Sequence, residues 1–201
     1  MPQNNEARQV GLKDVHVAIL KTDTTAEIEY ETPIKISRAI TAKITPSVNS
    51  ETLYSDDGVE DELTAFAGCE IEIEQNALSL EHRALLLGKK YANGELLETS
   101  GDVAPNLALL FKSEKSSSTI ANPVHRYAVL YKGKFNEIED EYETKGEKVN
   151  SKTTKIKGKF FDRNHDGAWR LMSDTDATGV DKDKIANWFT EVQEPTPDTA
   201  V

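Results

Sequence analysis

The sequence predicts a mainly β fold with one short helix docked on a sheet and long loops, and three observations carry that prediction. Apolar residues recur at period two in short windows; clusters of Gly, Pro, Asn, Asp and Ser separate those windows; and helical spacing is confined to brief stretches. Among the 201 residues 37% are apolar, with two Trp, six Tyr and six Phe, enough for one core and one domain.

Residues 1–10 are polar and read as a flexible N-terminal arm. Val15, Val17 and Ile19 alternate with His16, Ala18 and Leu20, which gives a first strand. Ile28 and Tyr30 sit between Glu27, Glu29 and Glu31 in a second. After Pro33 the chain resumes through Ile34 and Ile36, then Ile40 to Thr45, where Pro46 is expected to close the strand because it cannot donate to a ladder. From 46 to 62 the composition shifts to Ser, Asn, Asp and Glu, and this stretch reads as a long surface loop. Loops of that length are more often functional than idle, so it becomes a candidate contact element, with Leu53 and Tyr54 in need of cover.

Leu63 to Gln75 returns to alternation, with Cys69, Ile71 and Ile73 opposite Glu70, Glu72 and Glu74, as in a half-buried strand. Ser79 then serves as N-cap of a short helix with Leu80, Ala84 and Leu87 on one face and Gly88 as its stop. Asn93-Gly94 marks a tight hairpin. Leu107 to Lys112 reads as a fully buried strand, Ser113 to Thr119 as a flexible turn, and His125 to Tyr131 as the antiparallel partner. Glu137, Glu139 and Glu141 line one face of a predicted strand over 135–144, and Lys155, Lys157 and Lys159 one face of the next. Folding back about Lys148 would set Glu141 against Lys155, Glu139 against Lys157 and Glu137 against Lys159. A last helix is predicted near 182–189, capped by Asp181 and carrying Ile185, Trp188 and Phe189; residues 191–201 read as a disordered tail.

Lys plus Arg number 24 and Asp plus Glu 35, a net charge of −11, which argues against a dedicated grip on nucleic acid or an anionic membrane. The longest apolar run, Leu107 to Phe111, is far short of the roughly 20 residues that cross a bilayer, and the N-terminus has no secretory pattern. Cys69 is the sole cysteine, so no disulfide is expected, and its neighbours suggest a buried structural thiol.

Asp162-Arg163-Asn164-His165-Asp166-Gly167 matches the first half of a calcium EF-hand loop, but the twelfth position is Ser173 and the flanks look like strands, so a hairpin turn is the better expectation. His16, His82, His125 and His165 are far apart and show no zinc spacing, and no metal or cofactor is expected. No G-x-S-x-G elbow, phosphate loop or dinucleotide fingerprint occurs. The acidic ladders admit a solvated sheet face, a paired-carboxylate site, or the wall of a channel along which a polyanion slides without sticking.

The sequence resembles the major tail protein, or tail-tube protein, family of long-tailed non-contractile bacteriophages. The likeness rests on Gly11-Leu12-Lys13-Asp14-Val15-His16, Tyr54-Ser55-Asp56-Asp57-Gly58, Leu87-Gly88 before Asn93-Gly94, Leu107 to Phe111, Arg126-Tyr127, Tyr131 to Phe135, Asp166 to Arg170 and Trp188-Phe189, in that order. It implies a β-sandwich of the tail-tube type over 11–190, with a helix on its flank, that is not an enzyme. Six copies would form a ring, and rings would stack into a tube that conducts DNA during ejection. Four strands per copy would give an inner wall of roughly 115 Å circumference at about 4.8 Å per strand. Leu53, Tyr54, Asp56, Asp57 and Gly58 become contacts to neighbouring copies, and Glu70, Glu72 and Glu74, with no Lys ladder evident for them, a stripe along the bore.

The resemblance further implies a tape measure protein, a tail terminator and a distal tail protein as partners, DNA in transit without specific binding, no membrane, and a place in the virion tail after assembly in the host cytoplasm. It offers nothing beyond Trp188 to form an extra immunoglobulin-like domain. The competing expectations are a soluble calcium- or carbohydrate-binding β-domain, a hydrolase using two Glu, and a ring-forming secretion-tube subunit.

Overall fold

The computed structural model describes residues 8–36, 39–55, 58–116, 124–142 and 153–196. In chain order the strands are β1 (Arg8–Asp23), β2 (Ile28–Tyr30), β3 (Ile34–Lys35), β4 (Ala39–Ser55), β5 (Gly58–Gln75), β6 (Lys90–Ala92), β7 (Glu95–Leu97), β8 (Leu107–Ser116), β9 (Val124–Phe135), β10 (Thr154–Phe161) and β11 (Arg170–Asp174). The helices are α1 (Leu80–Leu87) and α2 (Lys182–Ala186). The fold is mainly β and its strand pairs are antiparallel. One large sheet runs in the order β2-β1-β8-β9-β10-β5-β4, with β3 on β1 and β11 on β9, while β6 and β7 form a separate hairpin. β1 and β4 approach each other although four strands lie between them in that order, so the sheet rolls over its own core.

The inner core joins Val15 and Val17 of β1, Cys69, Ile71 and Ile73 of β5, Leu107 and Leu109 of β8, and Ile156 and Phe160 of β10. Leu86 and Leu87 of α1 complete it. The alternate residues of the middle strands, Ala18, Ala108, Leu110, Val129 and Tyr131, face outward and are buried again, under Trp188. Two covered faces explain why 107–110 reads as an unbroken apolar run instead of alternating.

Local signals fix the short elements. Ser79 Oγ accepts the His82 N–H at 3.1 Å and Gly88 ends α1 in the left-handed region, as predicted. Leu80, predicted on the buried face, is instead exposed, and Leu86 takes its place in the core. Asn93 and Gly94 both adopt positive φ, the requirement of the two-residue turn between β6 and β7.

Three expectations are corrected. Within 46–62 the described residues 46–55 and 58–62 are strand and not loop: β4 runs through Pro46 and pairs with β5 from Ala39↔Gln75 to Ser55↔Gly58. Pro46 is tolerated because β4 is the edge strand of the sheet. β8 continues through Ser116, so 113–116 is strand and not turn; 117–119 lie outside the described residues. Within the predicted C-terminal tail, 191–196 is packed on the body: Gln193 is buried and its carbonyl accepts the Tyr131 hydroxyl at 2.8 Å. The predicted N-terminal arm also loses its last residues to β1, which begins at Arg8; residues 1–7 and 197–201 are outside the described set.

Candidate assembly surfaces

β10 pairs with β5 only from Gln75 back to Cys69. Beyond that point β4 and β5 leave the body as a two-stranded ribbon, residues 48–55 against 58–66, of roughly 27 Å at about 3.4 Å per residue. Its described side chains at 47–52 and 61–65 are exposed on both faces, including Val48 and Leu63. The base is built with care. The register shifts between Ser47 and Val48, opposite Gly68 and Phe66, which leaves Ala67 bulged and turns the ribbon. Gly68 has φ +122, and a Cβ there would meet the Phe160 carbonyl at 3.1 Å and the Phe161 ring at 3.2 Å. Phe66 stacks on Trp169 with ring centroids 4.8 Å apart. Of the predicted contact residues, Leu53, Tyr54 and Gly58 fall at the far end of the ribbon, in the pairs Leu53↔Asp61, Tyr54↔Val59 and Ser55↔Gly58; Asp56 and Asp57 lie outside the described residues.

The charged ladders pair differently from the prediction. Lys155, Lys157 and Lys159 stand opposite Glu74, Glu72 and Glu70 of β5, while Thr41, Lys43 and Thr45 of β4 flank the same glutamates on the other side. Lys155 Nζ lies 3.6 Å from Glu72. The stripe Glu70, Glu72 and Glu74 therefore has its Lys ladder, which removes the ground for seating it on a repulsive bore. Glu137, Glu139 and Glu141 are not the cross-strand partners of lysines 155–159, although they line an open cleft together with Lys155 and Lys157. β9 ends at Phe135; Asn136 N–H still donates to the Lys157 carbonyl at 2.8 Å, and then the chain departs toward α1. Ile138 is buried there, Glu137 bonds Lys89 Nζ at 2.6 Å, and Arg83 Nη1 reaches both Asp140 oxygens at 2.8 and 2.6 Å. Burial opposes the charge of Lys89, yet Glu137 and Glu98 hold its pKa above the ordinary value. Anchoring Ile138 and neutralising Lys89 draw this segment away from the sheet.

β10 and β11 lie end to end along the same edge of β9, with Phe161↔Lys132 and Arg170↔Leu130. Residues 162–169 are thus an excursion from an interrupted strand, and not a hairpin turn between two paired strands. Gly167 takes the predicted positive φ. The centre of the excursion is Arg163, whose side chain is fully buried. Its Nε and Nη2 donate to the two Asp166 oxygens at 2.7 Å each, Nη1 donates to Glu194 at 2.9 Å, Nη2 also bonds Glu194, and the guanidinium lies 4.0 Å from the Tyr131 ring centroid. This fork holds the Asp166 carboxyl below its usual range. Asp23 receives the N–H groups of Asn164 and His165 at 3.0 and 3.1 Å. Asp166, one of the oxygen ligands in the calcium-loop pattern, is bonded to Arg163 here. Among the described residues no group of three or more His, Cys, Asp or Glu is arranged to hold a metal ion.

Between β1 and β4 an open cleft of about 570 Å³ has a mixed lining, with Leu12, Ile40, Ile44 and Phe111 beside Arg126 and Arg170. β4 has a single neighbour in the sheet, so its outer edge is unpaired within the described chain. Cys69 is buried, which raises its thiol pKa, as expected for a structural cysteine. No helix is long and apolar enough to cross a membrane among the described residues. Arg163 and Glu194 do not stand out in the sequence; the signal for Arg163 is its place among acids in Asp-Arg-Asn-His-Asp-Gly, whereas Glu194 lies 31 residues on with no local mark.

No protein-family model and no curated protein matches the chain.

Proposed function

We propose that the chain is a structural subunit whose copies join side by side in six-membered rings and stack as the tail tube of a long-tailed, non-contractile bacteriophage, conducting DNA during ejection. The observation that carries this is the β4–β5 ribbon: a long, regular pair of strands with no core of its own, standing clear of a well-packed body. A two-stranded ribbon is marginal in water by itself, so a partner that covers it completes its stability. The unpaired edge of β4 supports lateral joining, since an open edge is a template for another strand. A head-to-tail contact that closes gives a ring, and one that does not close gives a filament.

In this reading the ribbon end, with Leu53, Tyr54, Asp56, Asp57 and Gly58, touches a neighbouring ring. The tape measure protein occupies the bore, and the terminator and distal tail proteins close the two ends. The subunit belongs to the virion tail, is assembled in the host cytoplasm, makes no bonds and needs no cofactor. Electron microscopy of the concentrated protein is expected to show tubes of constant bore. Deleting Asn49 to Asp61 should leave a folded chain that no longer polymerises, and tubes of normal bore from that variant overturn the proposal.

A further inference from the structure

Backbone pairing alone does not set the direction in which the ribbon leaves the body. β10 ends its pairing with β5 at Phe160↔Cys69, and beyond that point β4 and β5 pair only with each other within the described chain. The register shift that leaves Ala67 bulged falls between the body and the first ribbon pair, Val48↔Phe66. A bulge bends and twists a pair of strands, and no third strand stiffens the bend here. The lever is long: a ribbon of roughly 27 Å that swings by about 20° carries its far end about 9 Å. A contact between copies made at that end needs the swing suppressed.

Two contacts at the base oppose it. Gly68 lets β5 run close against the Phe160 carbonyl and the Phe161 ring, within reach of where a Cβ would stand. Two residues farther out, Phe66 is the one described ribbon side chain, among 48–52 and 61–66, that is not exposed. Its ring stacks on Trp169 with centroids 4.8 Å apart and planes 23° from parallel. Trp169 is itself held. Its carbonyl accepts the Tyr131 N–H at 3.1 Å, and the Arg170 guanidinium lies 4.3 Å from its ring centroid. The residue before it is pinned to the excursion that Arg163 anchors: the Ala168 carbonyl accepts the Arg163 N–H at 3.0 Å, and the Ala168 N–H donates to Asp166 at 3.0 Å.

We infer that Trp169 is the positioning residue of the ribbon. Phe66, seated on its ring, fixes the angle at which β4 and β5 leave the body, and so the place at which the ribbon end meets the next copy. Gly68 against Phe160 and Phe161 is the pivot, and the Phe66–Trp169 stack is the stay. Stacked rings suit this task because their attraction depends on offset and tilt, and the cation over the indole holds the receiving ring in place. The inference rests on the assembly reading and adds to it the residue that aims the contact.

Distances between spin labels test this on the subunit itself. The labels sit on cysteines introduced at Ser50, exposed on the ribbon, and Glu81, exposed on α1. Cys69 is fully buried and stays unlabelled. At dilutions that keep the chain unassembled, the parent should give one narrow distance distribution. Phe66→Ala and Trp169→Ala should each widen it at least about twofold, and the double variant should be no wider than either single, because both remove the same contact. Trp169→Phe, which keeps a ring for Phe66 to stack on, should stay narrow. Circular dichroism checks each fold; if Trp169→Ala fails to fold, Phe66→Ala against Trp169→Phe decides the matter. Without labels, Phe66→Ala and Trp169→Ala should need at least about tenfold higher concentration than wild type to assemble by sedimentation and electron microscopy, with Trp169→Phe near wild type. An unchanged distribution in Phe66→Ala, or wild-type assembly by a chain whose ribbon has been freed, overturns the inference and leaves tube formation intact. A wild type that never self-associates overturns the tube reading, and the distances then decide by themselves whether Trp169 aims the ribbon.

Discussion

Two polar stretches of this chain, 46–62 and 191–196, look alike in sequence and are opposite in structure. The first is regular and has no core: its described backbone runs in strands β4 and β5, yet its described side chains are solvated on both faces. The second is irregular and is part of a core: Tyr131 and Arg163 hold Gln193 and Glu194, and Lys184 Nζ bonds the Glu194 carbonyl, behind a fully buried Trp188. Regular backbone pairing and burial are separate achievements. A neighbouring strand supplies the first through hydrogen bonds; apolar contact and satisfied charge supply the second.

The comparison breaks or sharpens with five measurements of folding stability. Trp188→Ala should cost the most, about 3–5 kcal/mol by chemical denaturation, because it opens a cavity over Ala18, Ala108, Leu110, Val129 and Tyr131. A loss below about 1 kcal/mol would show the C-terminal segment to be an ornament of the fold. Arg163→Met should cost about 2–3 kcal/mol, less than the 3–5 of a fully buried pair, since Asp166 and Glu194 keep contact with water. The loss should appear first as faster hydrogen exchange over 187–196.

Gly68→Ala is expected to cost about 1–3 kcal/mol, since φ +122 and a 3.1 Å approach to the Phe160 carbonyl both oppose a side chain. Its exchange signature should fall at the ribbon base. Asp14→Asn probes acid response. Asp14 bonds Lys112 and Lys35, and these hold its carboxyl down to about 2. Because the folded pKa lies below the unfolded one, its stabilisation is complete above the ordinary carboxylate range and fades as pH falls toward about 2. The variant should therefore be about 0.5–1 kcal/mol weaker than wild type at pH 7 and should converge with it near pH 2. Removing Asn49 to Asp61 should change the stability of the subunit least, by under about 1 kcal/mol, because its described side chains, 49–52 and 61, are exposed. A large loss would mean that the ribbon holds the body together and would erase the contrast with the C-terminal segment.

The sequence was most legible where a short-range rule is strong. Ser79 and Gly88 bracketed α1, Asn93-Gly94 placed the β6–β7 turn, Asp181 capped α2, and the unbroken Leu107–Leu110 run announced a strand covered on both sides. It failed where the deciding partner is distant. With the described side chains at 47–52 and 61–65 exposed, no apolar alternation marked the ribbon as strand, and Pro46 suggested an end that an edge strand does not require. The packed segment at 191–196 looked like a tail because what holds it, Arg163 and Tyr131, is thirty or more residues away.

The lysine ladder divides what each level decides. Parity alone placed Lys155, Lys157 and Lys159 on one face of a strand and required an acidic ladder of matching spacing. Two ladders met that requirement, Glu70–Glu72–Glu74 and Glu137–Glu139–Glu141, and exposed charge pairs are too weak and too similar to choose between them. The tertiary structure chose the first. Beneath Glu70, Glu72 and Glu74 lie Cys69, Ile71 and Ile73, which complete the inner core only when β5 lies beside β10, whereas Ile138 is buried only when its segment turns toward α1. Burial of apolar surface set the pairing, and the charges followed.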